Sequence, residues 1–280
     1  METNYIKSFG TLFSKKDIRD YKINKATILK TFPNEFELNM PEVKDQKDVE
    51  SCVAHSIATV IEYFNRTQEG TYKEMSVGYI YGNRTNTTYI GKGMYVREAI
   101  AATCKYGDVT KELFPYNEEI PRIIDRFNSC NLFNEGEPNR FTSYYKVKTL
   151  DEIKTSLMKN GPVIIAMNWH NDIKVVDGII STPHQQGLYG HCMVIYGWNE
   201  CGWKIQNSWG TNWGNGGRAI LPYNIKIREA WGVIDTITNT KPNVVKPYST
   251  KVGNMIAKVL NIFINMSCSI IEFVKKCNTK

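Results

Sequence analysis

The run from Gly190 to Gly214 restricts the possible folds more than any other stretch of this 280-residue chain. Gly190-His191-Cys192-Met193-Val194-Ile195-Tyr196-Gly197-Trp198 is followed by Asn199-Glu200-Cys201-Gly202, then by Trp203-Lys204-Ile205-Gln206-Asn207-Ser208-Trp209-Gly210. Two apolar-rich segments flanking a turn-forming cluster predict a β-hairpin. His191 stands near the start of the first strand and Asn207 near the end of the second, so pairing brings imidazole and carboxamide to one end. A histidine held by an amide is an oriented general base that lacks only a nucleophile.

Far upstream, Asp45-Gln46-Lys47-Asp48-Val49-Glu50-Ser51-Cys52 leads into Val53, Ile57, Val60, Ile61 and Phe64, apolar positions at helical spacing. That pattern predicts a helix from Cys52 to about Asn65. In its first turn the helix dipole and unpaired amides would stabilise a thiolate. Gln46 stands six residues before Cys52, His191 and Asn207 are 16 apart (207 − 191), and they follow Cys52 by 139 and 155 residues. With these motifs in this order, the chain resembles the papain-like cysteine peptidases, whose Cys-to-His/Asn interval is roughly 130–150 residues.

The resemblance covers about Phe32 to Asp235. It implies an α+β, two-domain fold with a helical left domain, a β-barrel-like right domain and a substrate cleft between them. It further implies that Cys52 is the nucleophile, His191 the base and Asn207 the group that orients it. The Gln46 side chain and the Cys52 main-chain N–H would form the oxyanion hole, and Trp209 would cover the His–Asn bond. Gly93, Met94, Ala166, Tyr189 and Gly190 would line the substrate cleft, with Met94 standing where relatives commonly have a second glycine. The expected substrate is a peptide or protein, and no metal or organic cofactor is required.

The other histidines are weaker candidates. His55 is three residues after Cys52 on the same helix face, so it cannot close on substrate from an opposite wall, and a structural role is expected. His170 and His184 lack an Asn-Ser-Trp-Gly partner. Residues 1–30 are expected to form a leader, with no apolar stretch of the kind a secretory signal carries. Asp17-Ile18-Arg19-Asp20-Tyr21 resembles the short Asp-x-Arg-Asp-Tyr leader of bacterial and viral family members, either strapped across the body or frayed. Residues 31–240 would be the catalytic domain, with a helical half at about 45–116 and a β-rich half at about 117–235.

Charge separates the last forty residues from the rest. Seven lysines against Glu272 give +6 for residues 241–280, leaving +1 of the net +7 for the first 240. The body therefore has no basic excess to suggest nucleic acid. Within the tail, Asn254, Lys258, Asn261, Asn265, Ser269, Glu272 and Lys276 recur every three or four residues, predicting an amphipathic C-terminal helix after a basic linker. Lys258 and Glu272 argue against a lone membrane span. A membrane surface, a partner helix or the chain's own body is the expected contact of 254–276.

Seven cysteines show no metal-ligand spacing, and Val49 stands where secreted relatives usually have a disulfide cysteine, so a reduced, cytoplasmic setting is expected. A Cys104–Cys130 pairing stays open. Rival readings are another Cys-His hydrolase, such as a peptidoglycan endopeptidase, or a non-catalytic protein that retains the fold.

Overall fold

A computed structural model describes residues 9–70, 72–86, 92–116, 132–182, 189–235 and 244–245. Helix α1 (Cys52–Glu69) is the axis of the first half. It runs four residues past the expected end at Asn65 because the following residues are polar but not helix-breaking. Gly70, in the left-handed conformation (φ 67, ψ 7), stops it. Val53, Ile57, Ile61 and Phe64 are all buried, each contributing about 1.5–3 kcal/mol. Against α1 pack α2 (Val77–Gly82) and α3 (Val96–Tyr106). A fourth helix, α4 (Leu150–Asn160), starts with a capping box in which Thr149 and Glu152 satisfy each other's main-chain N–H groups.

The strands are β1 (Thr11–Leu12), β2 (Lys22–Ile23), β3 (Phe36–Glu37), β4 (Met94–Tyr95), β5 (Ser143–Lys146), β6 (Val163–Trp169), β7 (Val175–Val176), β8 (Ile179–Ile180), β9 (Tyr189–Asn199), β10 (Gly202–Gln206), β11 (Arg218–Pro222), β12 (Ile227–Ile234) and β13 (Val244–Val245). All but β1 and β4 join one sheet in the order β13-β2-β5-β12-β6-β9-β10-β11-β8-β7, with β3 added on β9. The outer strands β13 and β7 do not pair with each other, so among the described residues the sheet is open. This corrects the barrel-like expectation: two-residue strands at both ends are too short to close the ladder.

Strand β9 is buried on both faces because it separates two cores. Cys192, Val194 and Tyr196 join the core around α1, while Met193, Ile195 and Trp198 join the core formed with β6, β10 and α4. The alternation follows from the two-residue period of a strand as far as Tyr196. There a register shift against β10 (Lys204 opposite Gly197, Ile205 opposite Ile195) turns Trp198 to the face of Ile195. The expected C-terminal helix, residues 254–276, lies outside the described residues, as does Cys130; Cys104 carries a free thiol.

Candidate active site

The hairpin of β9 and β10 sets one wall. Gln206 pairs with Val194, so Asn207 leaves the ladder level with Met193 and diagonal to His191. His191 Nε2 and Asn207 Oδ1 lie 2.7 Å apart. The main-chain N–H of Ser208 donates to the same Oδ1 at 2.8 Å, which fixes the amide oxygen on that side. His191 Nε2 is therefore the protonated nitrogen, and Nδ1 carries the lone pair. Trp209 stacks on the imidazole at 4.3 Å between ring centroids with 23° between planes, and Trp169 meets the same ring edge-on at 5.3 Å.

The other wall is the start of α1. Cys52 is the first helical residue, so its N–H has no intrahelical acceptor. Gln46 lies on the segment just before it. Its side-chain oxygen accepts from the Ser208 hydroxyl at 2.6 Å and its amide nitrogen donates to Val49 O at 2.9 Å. Because the oxygen is engaged by Ser208, the amide hydrogens are turned toward the Val49–Cys52 side. The two walls are tied together at this point: Gln46 N donates to Ser208 O, and Gly210 N to Lys44 O.

Between the walls runs the N-terminal segment, so of the two alternatives for the leader the strap is the one observed over residues 9–23. Strand β1 lies parallel to β4, pairing Thr11 with Met94 and Leu12 with Tyr95. Met94 N donates to Gly10 O at 2.8 Å. Phe9 stacks on Tyr189 and meets His191 and Trp209 edge-on. The Thr11 hydroxyl lies 3.2 Å from Cys52 Sγ. A Cβ on Gly190 would fall 2.1 Å from the Thr11 carbonyl oxygen, so only glycine permits this approach. Further along, Ser14 N donates to the buried Glu229 carboxylate, and Arg97 holds Asp20 at 3.2 Å.

Under this cover Cys52 and His191 are both fully buried. Burial pushes the Cys52 thiol up from its ordinary value, outweighing the opposing effect of the Thr11 hydroxyl and nearby main-chain N–H groups. The thiol in this arrangement is neutral.

The residues singled out in the sequence fall into three groups. Cys52, Gln46, His191, Asn207 and Trp209 converge on the junction of α1 with the hairpin. Gly93, Met94, Tyr189 and Gly190 all border the N-terminal segment. Ala166 is fully buried in β6, paired with Cys192 on one side and with Glu229, which accepts from Ser14 of the N-terminal segment, on the other. Phe9, Thr11, Trp169 and Glu229 were not anticipated. Ser208 was within reach, since it stands inside the Asn-Ser-Trp-Gly motif.

The family model for papain family cysteine proteases matches residues 33–231. The chain is 27% identical over 195 residues to a cysteine protease of Blomia tropicalis, covering 64% of this chain and 56% of that protein. It therefore spans little more than half the length of that relative. It is 23% identical over 270 residues to an uncharacterized peptidase C1-like protein of Acanthamoeba polyphaga mimivirus, covering 84% and 86%. Xylellain, a cysteine protease from Xylella fastidiosa, superposes with a TM-score of 0.71 at 21% identity over 84% of this chain and 99% of its own.

Proposed function

Because the chain belongs to the papain family of cysteine proteases, we propose that it hydrolyses peptide bonds with Cys52 as nucleophile, and that its N-terminal segment restrains it. The observation that carries the reading is the 2.7 Å contact of His191 Nε2 with Asn207 Oδ1, which leaves the Nδ1 lone pair to take a proton. Cys52 gives its thiol proton to His191, and the thiolate attacks the substrate carbonyl carbon. The resulting oxyanion takes hydrogen bonds from Cys52 N–H and the Gln46 amide. Collapse of the tetrahedral species breaks the C–N bond, and His191 delivers its proton to the departing amine. Water then attacks the thioester with His191 as base, releasing the acid and restoring the thiol.

These roles give the cleft a direction. The leaving amine must lie by His191 and Trp209, and the acyl part on the other side, by Met94 and Tyr95. A substrate would run from Met94 toward Trp209. The N-terminal segment runs the opposite way, from Phe9 beside Trp209 to Leu12 beside Tyr95. Gly10 O is bonded to Met94 N and Thr11 O lies against Gly190, while the Thr11 hydroxyl is the group set against the thiol at 3.2 Å. A hydroxyl has no carbonyl carbon to attack, so the segment fills the cleft without being cut.

The test uses the full chain and one glycine. A Cβ on Gly10 would fall 1.9 Å from the Glu50 carbonyl oxygen, so Gly10→Ala forces the segment away from the α1 wall. Overpacking of this kind costs about 1–3 kcal/mol, enough to raise the open fraction about 5–150-fold. Peptide hydrolysis and labelling by a thiol-directed epoxide should both rise by that order in Gly10→Ala, and both should vanish when Cys52→Ala is added. A Gly10→Ala chain that neither cleaves a fluorogenic peptide library nor takes the label would end the hydrolase reading.

A further inference from the structure

The polar cluster behind the oxyanion segment has no part in the chemistry just described. His55 sits one helical turn below Cys52 and is 2% exposed. Its Nδ1 lies 3.2 Å from the Ser51 hydroxyl and 3.1 Å from the Ser51 carbonyl. Tyr116 packs edge-on against the imidazole at 5.3 Å. The Tyr116 hydroxyl lies 3.0 Å from Ser51 Oγ and donates to Gln46 O at 3.3 Å. Ser51 is the N-cap of α1, yet its side chain makes no capping bond to the helix, being turned toward His55 and Tyr116. That departs from the usual use of a serine at this position.

The pattern of ties is specific. Two chain segments carry the two oxyanion donors: Ser51 immediately precedes Cys52, whose main-chain N–H is one donor, and Asp45 immediately precedes Gln46, whose side chain is the other. His55 holds Ser51 through its hydroxyl and its carbonyl. Tyr116 bridges Ser51 to Gln46. Tyr116 thus joins the two segments, and His55 fixes the Ser51 end of that link. Burial holds the His55 pKa at about 4, so near neutral pH the ring is uncharged, with one N–H to donate and one lone pair to accept. An apolar ring of the same size could fill the space but make neither bond.

We propose that Ser51, His55 and Tyr116 form a positioning unit that fixes the spacing of the two oxyanion donors. The proposal rests on the assignment of Gln46 and Cys52 N–H as those donors. A donor displaced by about 1 Å can cost on the order of 100-fold in rate, so a bracket of this kind acts on turnover rather than on substrate affinity. His55 and Tyr116 are thus neither base nor nucleophile. They act through the main chain of their neighbours.

The test separates reactions that build an oxyanion from one that does not. A peptide aldehyde adds to Cys52 as a hemithioacetal whose oxygen occupies the hole. Chloroacetamide is attacked at its CH2 carbon, expels chloride and places no charge on its carbonyl oxygen. Aldehyde affinity divided by alkylation rate, measured on the full chain, cancels any change in how often the N-terminal segment is open. Tyr116→Phe removes one hydroxyl at a half-buried site, and His55→Phe keeps the ring but loses its polar atoms. In each, this ratio should fall about tenfold, and kcat should fall by a similar factor with KM within about twofold. If His55→Phe fails to fold, Tyr116→Phe carries the test alone. An unchanged ratio in Tyr116→Phe overturns the bracket while leaving the protease reading intact. Absence of both aldehyde binding and alkylation in the unaltered chain, even with Gly10→Ala, would instead remove the protease reading.

Discussion

Behind His191 the wall is aromatic: Trp209 covers the ring, Trp169 meets it edge-on, and Trp213 packs against both tryptophans. Behind Gln46 the wall is polar: Ser51, His55, Tyr116 and Ser208 all reach main-chain or side-chain atoms of the oxyanion segment. The difference follows what each group would have to do in the proposed mechanism. An imidazole that gains and loses a proton needs its orientation fixed by one amide, in surroundings of low dielectric that strengthen that bond. Oxyanion donors never change charge; they need only stand still, and several short polar ties to the backbone hold them.

The sharpest way to break this comparison is on the polar side. Gln46→Ala removes one donor outright and should lower kcat about 100–1,000-fold. Alkylation by chloroacetamide should change little, because the thiol and its base are untouched. Parallel loss of alkylation would mean that Gln46 also supports the Cys–His couple, and the two walls would no longer be separable.

On the aromatic side, Asn207→Ala should lower kcat about 100-fold, less than the ~10⁴-fold seen when a charged orienting group is neutralised, because an amide has no charge to lose. Here alkylation should fall together with turnover, since a freed imidazole can adopt the wrong tautomer and rotate away. Loss of turnover with alkylation intact would place Asn207 on the wrong side of the divide.

How much of this was readable beforehand differs between the walls for the same physical reason. Asn207 faces His191 through a hairpin whose turn residues and apolar runs are local in sequence, so the spacing alone carried it. The bracket joins residues 46, 51, 55 and 116 in part through main-chain oxygens, and a backbone atom leaves no trace in residue type. His55 was read as structural on the ground that it shares a helix face with Cys52; that argument disqualifies it as a base but is silent on bonds to Ser51. The course of the N-terminal segment was equally hidden. Its strands β1 and β2 are two residues long, too short for a periodic signal, and Gly10 and Thr11 are placed by close approach rather than by an apolar pattern.

A third measurement probes the polar wall through protons. Burial lowers the His55 pKa from 6.5 to about 4, with Lys44 pushing it down further and the Ser51 and Asp45 carbonyls and the Asp45 carboxylate opposing. The unfolded chain therefore binds a proton at this site as pH falls through about 6.5, before the folded chain does. Stability contributed by the neutral ring is fully present above 6.5 and is lost as pH falls toward about 4. His55→Phe abolishes this term, so the stability difference between unaltered chain and variant should shift in favour of the variant by about 3 kcal/mol over that window. Denaturant melts at pH 7, 5.5 and 4 read it directly. A difference that stays constant with pH would mean that His55 is not held neutral, and the bracket would carry a charge.

The smallest expected effect concerns Lys47, which follows Gln46 with a positive φ of 54°, a conformation costing a non-glycine residue about 1–2 kcal/mol. Two terms oppose the gain from Lys47→Gly: about 0.5–1 kcal/mol of added chain entropy in the unfolded state, and the half-exposed ion pair with Asp45 at 2.9 Å, worth about 0–1 kcal/mol. The net should be a stabilisation of about 0.3 kcal/mol, or a rise of about 1 °C in Tm for a domain of this size. Asp45 Oδ1 accepts from the main-chain N–H of Lys47 at 3.0 Å, a bond glycine keeps, so the turn that presents Gln46 should retain its shape. Turnover should then be unchanged. A drop in kcat with a higher Tm would show that the strained lysine, and not only the bracket behind it, sets where the Gln46 amide points.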